Sequence, residues 1–286
     1  MSKREIKSVI SLGNKKINKI KKFAIIFFAV YFLLCIALVL LQDKIIFPRS
    51  KLSEEAIAVA AKKDNVDNIA LKMHDGTEVR GWLVNNSKSE KSNLVIYFGA
   101  NAEELSNLIP RVSKFDNWSI ALINYRGYGA SDGTPGEEEL CSDSLDIYDY
   151  FASRNDINKN NIVIMGRSIG TGVATYLAEK RNTEAVILVS PFETLTSVVK
   201  EKCPILPVNM LLKYKFDSIS RAPEIKSPLL VIVGSKDLFV PKWHSEKLAK
   251  AWGGQVEFEE ITGAGHNTVD DGDEYWNNIY QYLSKK

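Results

Sequence analysis

Six short apolar runs, most of them rich in β-branched residues, constrain the fold of this chain more than any other feature. They fall at 93–98 (NLVIYF), 119–125 (SIALINY), 161–165 (NIVIM), 185–190 (AVILVS), 228–235 (PLLVIVGS) and 256–261 (VEFEEI). Most are continuous in hydrophobicity, as strands buried on both faces must be. Helical patterns lie between them, near 103–115, 137–153, 168–181, 241–252 and 273–284. Strands alternating with helices predict an α/β fold, with a mostly parallel central sheet covered by helices on both faces. Upstream, NIALKMHDGTEVRGWLVNN places two β-rich runs around His74-Asp75-Gly76, a hairpin signal that adds antiparallel strands at one edge. Residues 53–64 read as a short helix and 88–92 as a polar loop. Between Pro191 and Pro228 the chain is broken by Pro204, Pro207 and Pro223. That connection is too long for a plain crossover and predicts a short helical cap, about 191–227, over the strand ends.

The α/β domain, taken as 45–286, follows a different kind of segment. Residues 23–41 (FAIIFFAVYFLLCIALVLL) hold no charge, glycine or proline. At about 1.5 Å per residue such a helix roughly spans a hydrocarbon core. A cleaved signal peptide would have a shorter apolar region and a small-residue cleavage site, which ALVLLQDK lacks. A lipoprotein reading would use Cys35, but Leu34 before it is large and Cys35 sits mid-segment. A core helix would show a polar face. An uncleaved transmembrane anchor is the reading these features favour. Residues 1–22 carry eight cations against Glu5 alone, a net +7 that leaves −5 for the rest of a chain of +2. The positive-inside rule makes this tail cytoplasmic and the domain extracytoplasmic. An acidic body also argues against a nucleic-acid partner, which needs a basic patch. Cys35, Cys141 and Cys203 suggest neither a metal site nor a disulfide scaffold. Pairing of Cys141 with Cys203 needs an oxidising compartment, and free thiols are the simpler reading.

The 161–165 run leads directly into Gly166-Arg167-Ser168-Ile169-Gly170 and a helical pattern. A strand–serine–helix elbow needs glycine on both sides, because the backbone is strained and the helix packs close. The turn lifts the Ser168 hydroxyl to a helix N-terminus, where the dipole favours a developing anion. Serine needs a base. His74 sits at the hairpin tip, and His244 opens a helix as a capping or surface residue. His266 lies in a Gly-rich loop after the last strand and is the candidate base. Asp237, just past the 228–235 strand, is the favoured acid to orient it, with Glu193 as the alternative. Two backbone N–H groups would form an oxyanion hole: Ile169, and one from the loop 99–104 (GANAEE), Asn101 first and Ala102 next.

The order Ser168, Asp237, His266 is that of α/β-hydrolases rather than of the chymotrypsin or subtilisin types. From residue 45 to the C-terminus the chain resembles a membrane-anchored, single-domain group of that superfamily. The resemblance rests on IIFPRS, YFGANAEEL, NYRGYGASDGTPGE, GRSIGTGVA, SPFETL, LPVNMLLKYKFDS, VIVGSKDLFVP and GAGHN in that order. It implies a serine hydrolase without metal or organic cofactor, acting on a small-molecule or lipid-like acyl substrate; esterase, thioesterase, lipase-like and peptidase assignments all occur in the group. Its members usually carry His-Gly-Asn-Ala where this chain has Gly99-Ala100-Asn101-Ala102. The replacement removes a side chain that would brace the loop, and Ala100 tolerates positive φ less well than glycine. Arg126, Tyr128 and Asp132 are expected to hold a strand end, and the apolar stretch 203–212 (CPILPVNMLL) to shape the acyl pocket.

Overall fold

In the computed structural model residues 3–52, 63–113, 115 and 117–286 are described, with side chains from Asn18 onward. The expected helix at 53–64 falls mostly on 53–62, outside the described residues. Eight strands form one sheet: β1 (Val66–Lys72), β2 (Glu78–Val84), β3 (Ser92–Phe98), β4 (Trp118–Ile123), β5 (Ile157–Arg167), β6 (Ala185–Val189), β7 (Leu229–Gly234) and β8 (Val256–Ile261). Their order is β1-β2-β4-β3-β5-β6-β7-β8. β1 and β2 form the hairpin around His74-Asp75-Gly76, and β2 pairs antiparallel with β4. All pairings from β4 through β3 to β8 are parallel.

Parallel strands buried on both faces divide their side chains by the two-residue period. Leu94, Ile96, Phe98, Ile162, Ile164, Val186, Leu188 and Val231 enter one core, with α2 (Glu137–Ser153), α3 (Ile169–Lys180) and α5 (Lys242–Ala251). Val95, Tyr97, Val163, Met165, Ile187, Val189 and Ile232 enter the other, against α6 (Asp273–Leu283). β8, at the sheet edge, alternates partly buried and exposed positions instead.

The helix expected near 103–115 is replaced by a 3-10 turn, Leu105–Leu108, and a single α turn, Ile109–Val112. Pro110 has no N–H to bond back to a preceding turn, so it starts a helix rather than continuing one. Glu104 caps the 3-10 turn by accepting from the Ser106 N–H.

At the N-terminus α1 runs unbroken from Lys3 to Ile46, five residues past the apolar run. Its stretch Asn18–Ile46 is long and apolar enough to cross a membrane. One face of its C-terminal half lies on the segment 191–227, which holds α4 (Leu195–Lys202) and the one-turn helix Val208–Leu211. Gln42 Nε2 donates to the Leu211 carbonyl at 3.3 Å and its Oε1 accepts from Lys213 N at 2.8 Å. Tyr214 Oη donates to Asp43 Oδ1 at 2.7 Å, and its ring meets Phe47 edge-on. An apolar cavity of about 180 Å³ lies between α1 and this segment, lined among others by Leu38, Val39, Ile45, Leu206 and Leu211. Cys203, Leu206, Val208, Leu211 and Leu212 of the stretch 203–212 therefore face α1. None of Ser168, Asp237 and His266 lines that cavity, which departs from the expected acyl pocket; Gln42 and the apolar face of α1 compete for these residues.

Candidate active site

Because β3, β5, β7 and β8 are parallel, the loops that follow them lie at the same, C-terminal end of the sheet. These loops carry residues 99–104, Ser168, Asp237 and His266. Ser168 caps α3 with φ of 52° and ψ of −118°. For a non-glycine residue this conformation costs on the order of 1–3 kcal/mol and persists only where the surroundings hold it. Here they do: Ser168 N donates to Val189 O at 2.9 Å, and Thr171 N and Oγ1 both donate to Ser168 O. A Cβ on Gly170 would collide with the carbonyl oxygens of Phe98 and Gly99, so glycine there brings α3 against the end of β3.

The three side chains form one hydrogen-bonded row. His266 Nε2 is 3.0 Å from Ser168 Oγ, and His266 Nδ1 is 2.7 Å from Asp237 Oδ2. A carboxylate only accepts, so Nδ1 carries the proton and Nε2 is left to accept from the serine hydroxyl. Asp237 is held on both oxygens: Oδ1 accepts from the N–H groups of Phe239 (2.9 Å) and Val240 (2.8 Å), and Oδ2 from Ser190 Oγ at 2.8 Å. Burial alone would raise the Asp237 carboxyl. The bond and charge of His266, with the Val240 N–H and Ser190, outweigh it and hold its pKa below the ordinary aspartate value. The Phe239 ring lies 5.0 Å from the His266 ring, tilted over it.

Glu193 lies elsewhere. Its Oε2 is 2.6 Å from Nδ1 of His244, whose Nε2 is 3.0 Å from Glu201 Oε2. His244, expected as a capping or surface residue, is completely buried. It joins α5 to α4, with Trp243 stacked on its ring at 3.6 Å. Burial would raise the Glu193 carboxyl, but His244, its own backbone N–H and Lys247 outweigh that and lower its pKa. His74 is exposed, with Nδ1 2.9 Å from Asp146 Oδ2.

Ile169 is the first residue of α3, so its N–H belongs to the first-turn donors that no helical carbonyl satisfies. In the opposite loop Asn101 and Ala102 are exposed, and the positive φ falls on Ala102 (59°) rather than Ala100. The brace that Gly99 cannot supply comes from Glu103. Its Oε2 accepts from Ala100 N at 2.6 Å and from Tyr97 Oη at 3.1 Å. Arg167 Nη1 stands 3.5 Å from Glu103 Oε1, while Nη2 reaches Asp270 Oδ1 (3.1 Å) and the His266 carbonyl (3.3 Å). Burial disfavours the Arg167 charge, but Tyr97, Glu103 and Asp270 outweigh it and raise its pKa. The Glu103–Arg167–Asp270 network, and Ser190 on Asp237, were not identifiable from sequence. The only signal was an arginine inside the elbow, a position next to a buried strand end that favours a paired charge.

Arg126, at 5% exposure, forks onto Asp143, with Nε–Oδ2 at 2.6 Å, and also reaches Asp75 in the hairpin turn. It thus ties the end of β4 to α2, the structural role expected of it. Cys35, Cys141 and Cys203 are free, and burial pushes the Cys141 thiol up to about 12. Among the described residues no three His, Cys, Asp or Glu side chains converge as metal ligands.

A family model described as serine hydrolase matches residues 147–285. An uncharacterised protein of Mycobacterium tuberculosis is 30% identical over 202 residues, 70% of this chain and 72% of that protein. Alpha/beta hydrolase domain-containing protein 17B of Homo sapiens is 29% identical over 230 residues, 79% of this chain and 77% of its own. Among solved structures, an alpha-beta hydrolase from Vibrio vulnificus superposes with a TM-score of 0.71 at 18% identity, covering 84% of this chain and 91% of that one.

Proposed function

The chain belongs to the α/β-hydrolase superfamily, and from that premise we propose a membrane-anchored serine hydrolase that cleaves carboxylic esters or thioesters through an acyl-enzyme on Ser168. The observation that carries this reading is the continuous row Ser168–His266–Asp237, at 3.0 and 2.7 Å. Ser168 Oγ attacks the substrate carbonyl carbon as His266 Nε2 takes its proton. The carbonyl π pair moves onto oxygen, where the N–H groups of Ile169 and Asn101 receive the negative charge, with Ala102 as the fallback donor. The intermediate collapses by expelling the alkoxide or thiolate, protonated from Nε2. Water then enters, gives its proton to Nε2 and releases the acid, returning the proton to Oγ. Asp237 orients the imidazole and stabilises its transient cation.

Exposed apolar side chains directly after Asp237, Leu238 and Phe239, support an apolar acyl group as substrate. α1 serves as the anchor, N-terminus cytoplasmic and domain extracytoplasmic, supported by its length and the basic 1–22 segment. A fluorophosphonate probe tests the reading. Wild type should label and Ser168→Ala should not; an intact wild type that stays unlabelled overturns it in favour of a non-catalytic binding domain. Turnover of p-nitrophenyl esters and acyl thioesters, set beside aminoacyl amides, then separates ester or thioester hydrolysis from peptidase action. The triad variants should lose roughly 10⁴-fold or more in kcat.

A further inference from the structure

We propose that the cap tip, residues 203–212, is seated in the extracytoplasmic leaflet alongside α1, with membrane acyl chains as its partner; this rests on the reading of α1 as a span.

The argument begins with length. A span needs about 20 residues, or roughly 30 Å of helix. Lys19, Lys21 and Lys22 close the cytoplasmic end of the apolar run. From Phe23 onward only the stretch to Val30 is clear of the cap, about 12 Å of helix. Beyond it Tyr31, Cys35, Leu38, Gln42 and Ile46, spaced as one helix face, are wholly or partly covered, whereas their neighbours Leu33, Leu34, Leu40 and Leu41 are exposed. The covering material is the cap: Tyr31 Oη donates to the Ile205 carbonyl at 2.9 Å, and Gln42 bonds Leu211 and Lys213. Hydrocarbon reaching far enough along α1 to make a span must therefore also reach the cap.

The cap tip has the composition for that position. CPILPVNMLL carries no charge, and Ile205 (81%) and Met210 (85%) are among the most exposed apolar side chains of the protein. Lysines bracket it: Lys200 and Lys202 before, Lys213 and Lys215 after. Lys213 Nζ stands 3.8 Å from Asp43 Oδ1, level with the Gln42-Asp43-Lys44 step at which α1 becomes polar. Lysines at that level hold their ammonium groups among lipid phosphates while the stems stay apolar. Irregular backbone at membrane depth must have its polar groups satisfied from within the protein. Tyr31 and Gln42 do so for Ile205 and Leu211, which gives a reason for two polar residues within an otherwise apolar helix. The 180 Å³ cavity between α1 and the cap, with its apolar walls, is then filled by lipid chain rather than water.

Depth-dependent quenching tests this on the full-length protein. In a background with Cys35, Cys141 and Cys203 replaced by Ala, a nitrobenzoxadiazole probe is placed singly at Ile205→Cys, Met210→Cys, Leu34→Cys or Lys91→Cys. Each variant is required to melt with its unlabelled parent, then reconstituted in phosphatidylcholine–phosphatidylglycerol vesicles containing acyl-chain doxyl lipid. Probes at 205, 210 and 34 are expected to lose most of their emission, and the probe at 91 to keep it. Quenching at 34 with positions 205 and 210 as bright as 91 overturns the seated cap and leaves the span standing. A bright probe at 34 overturns the span reading, and this proposal with it.

Discussion

Arg167 joins contributions from three parts of the chain: Glu103 after β3, the His266 carbonyl after β8, and Asp270 further along. Glu103 in turn holds Ala100, so a charge next to the proposed nucleophile steadies the loop proposed to supply the second oxyanion donor. Glu103→Gln keeps the size and loses the charge, and should lower kcat about tenfold with KM little changed, a loss smaller than that of a donor itself. Ser190→Ala removes one of the four hydrogen bonds to the Asp237 carboxylate. A drop of about tenfold in the fluorophosphonate labelling rate is expected, the size of one hydrogen-bond contribution of roughly 1.4 kcal/mol. Acid stability is set by the same kind of group. Asp237 and Glu193 both have folded pKa values below their unfolded ones. Their stabilisation is present above the ordinary carboxylate pKa of about 4 and is lost as pH falls through the folded values. Melting temperature against pH should fall on that acid limb, and Glu193→Gln should flatten part of the fall.

Among the elements, what sequence reveals depends on how local the physics is. The inner strands β3, β4, β6 and β7 were legible because both faces of each are buried, leaving uninterrupted apolar runs such as 185–190. The hairpin was legible because Gly76 provides the positive φ (88°) its turn requires. Ser168 and Asp237 sit just past the ends of buried strands, and His266 in the loop that follows the edge strand β8, so their positions followed from strand ends. His244 misled because nothing in VPKWHSEKLAK shows that Glu193 and Glu201, 51 and 43 residues away, close on it. The helix expected at 103–115 misled because apolar spacing outweighed Pro110. The cap's register on α1 is a contact between distant segments and left no periodic mark. The approach of α3 to β3 belongs to this scale as well. Gly170→Ala must separate the helix from the carbonyls of Phe98 and Gly99. We expect about 1–3 kcal/mol of destabilisation, typical of overpacking, seen in urea melts, with labelling slowed beyond what the unfolded fraction explains.

At the scale of the whole molecule, the C-terminal half of α1 is packed on the cap. Removing residues 1–46 would strip the cap of its cover at Gln42, Asp43 and the apolar face between Leu38 and Ile46. Such a truncation should retain the sheet by circular dichroism but associate in detergent-free buffer, measured by light scattering, since apolar patches of this kind drive association. α1 continues five residues past the apolar run, to Ile46, before the chain turns. The helix is tied to the cap at three levels, by Tyr31, Gln42 and Asp43. A spanning helix can answer a change in bilayer thickness by tilting, and in the proposed span such a tilt would act first on the cap that α1 holds. If α1 spans a membrane as proposed, the thickness of that membrane becomes an input to the position of the cap.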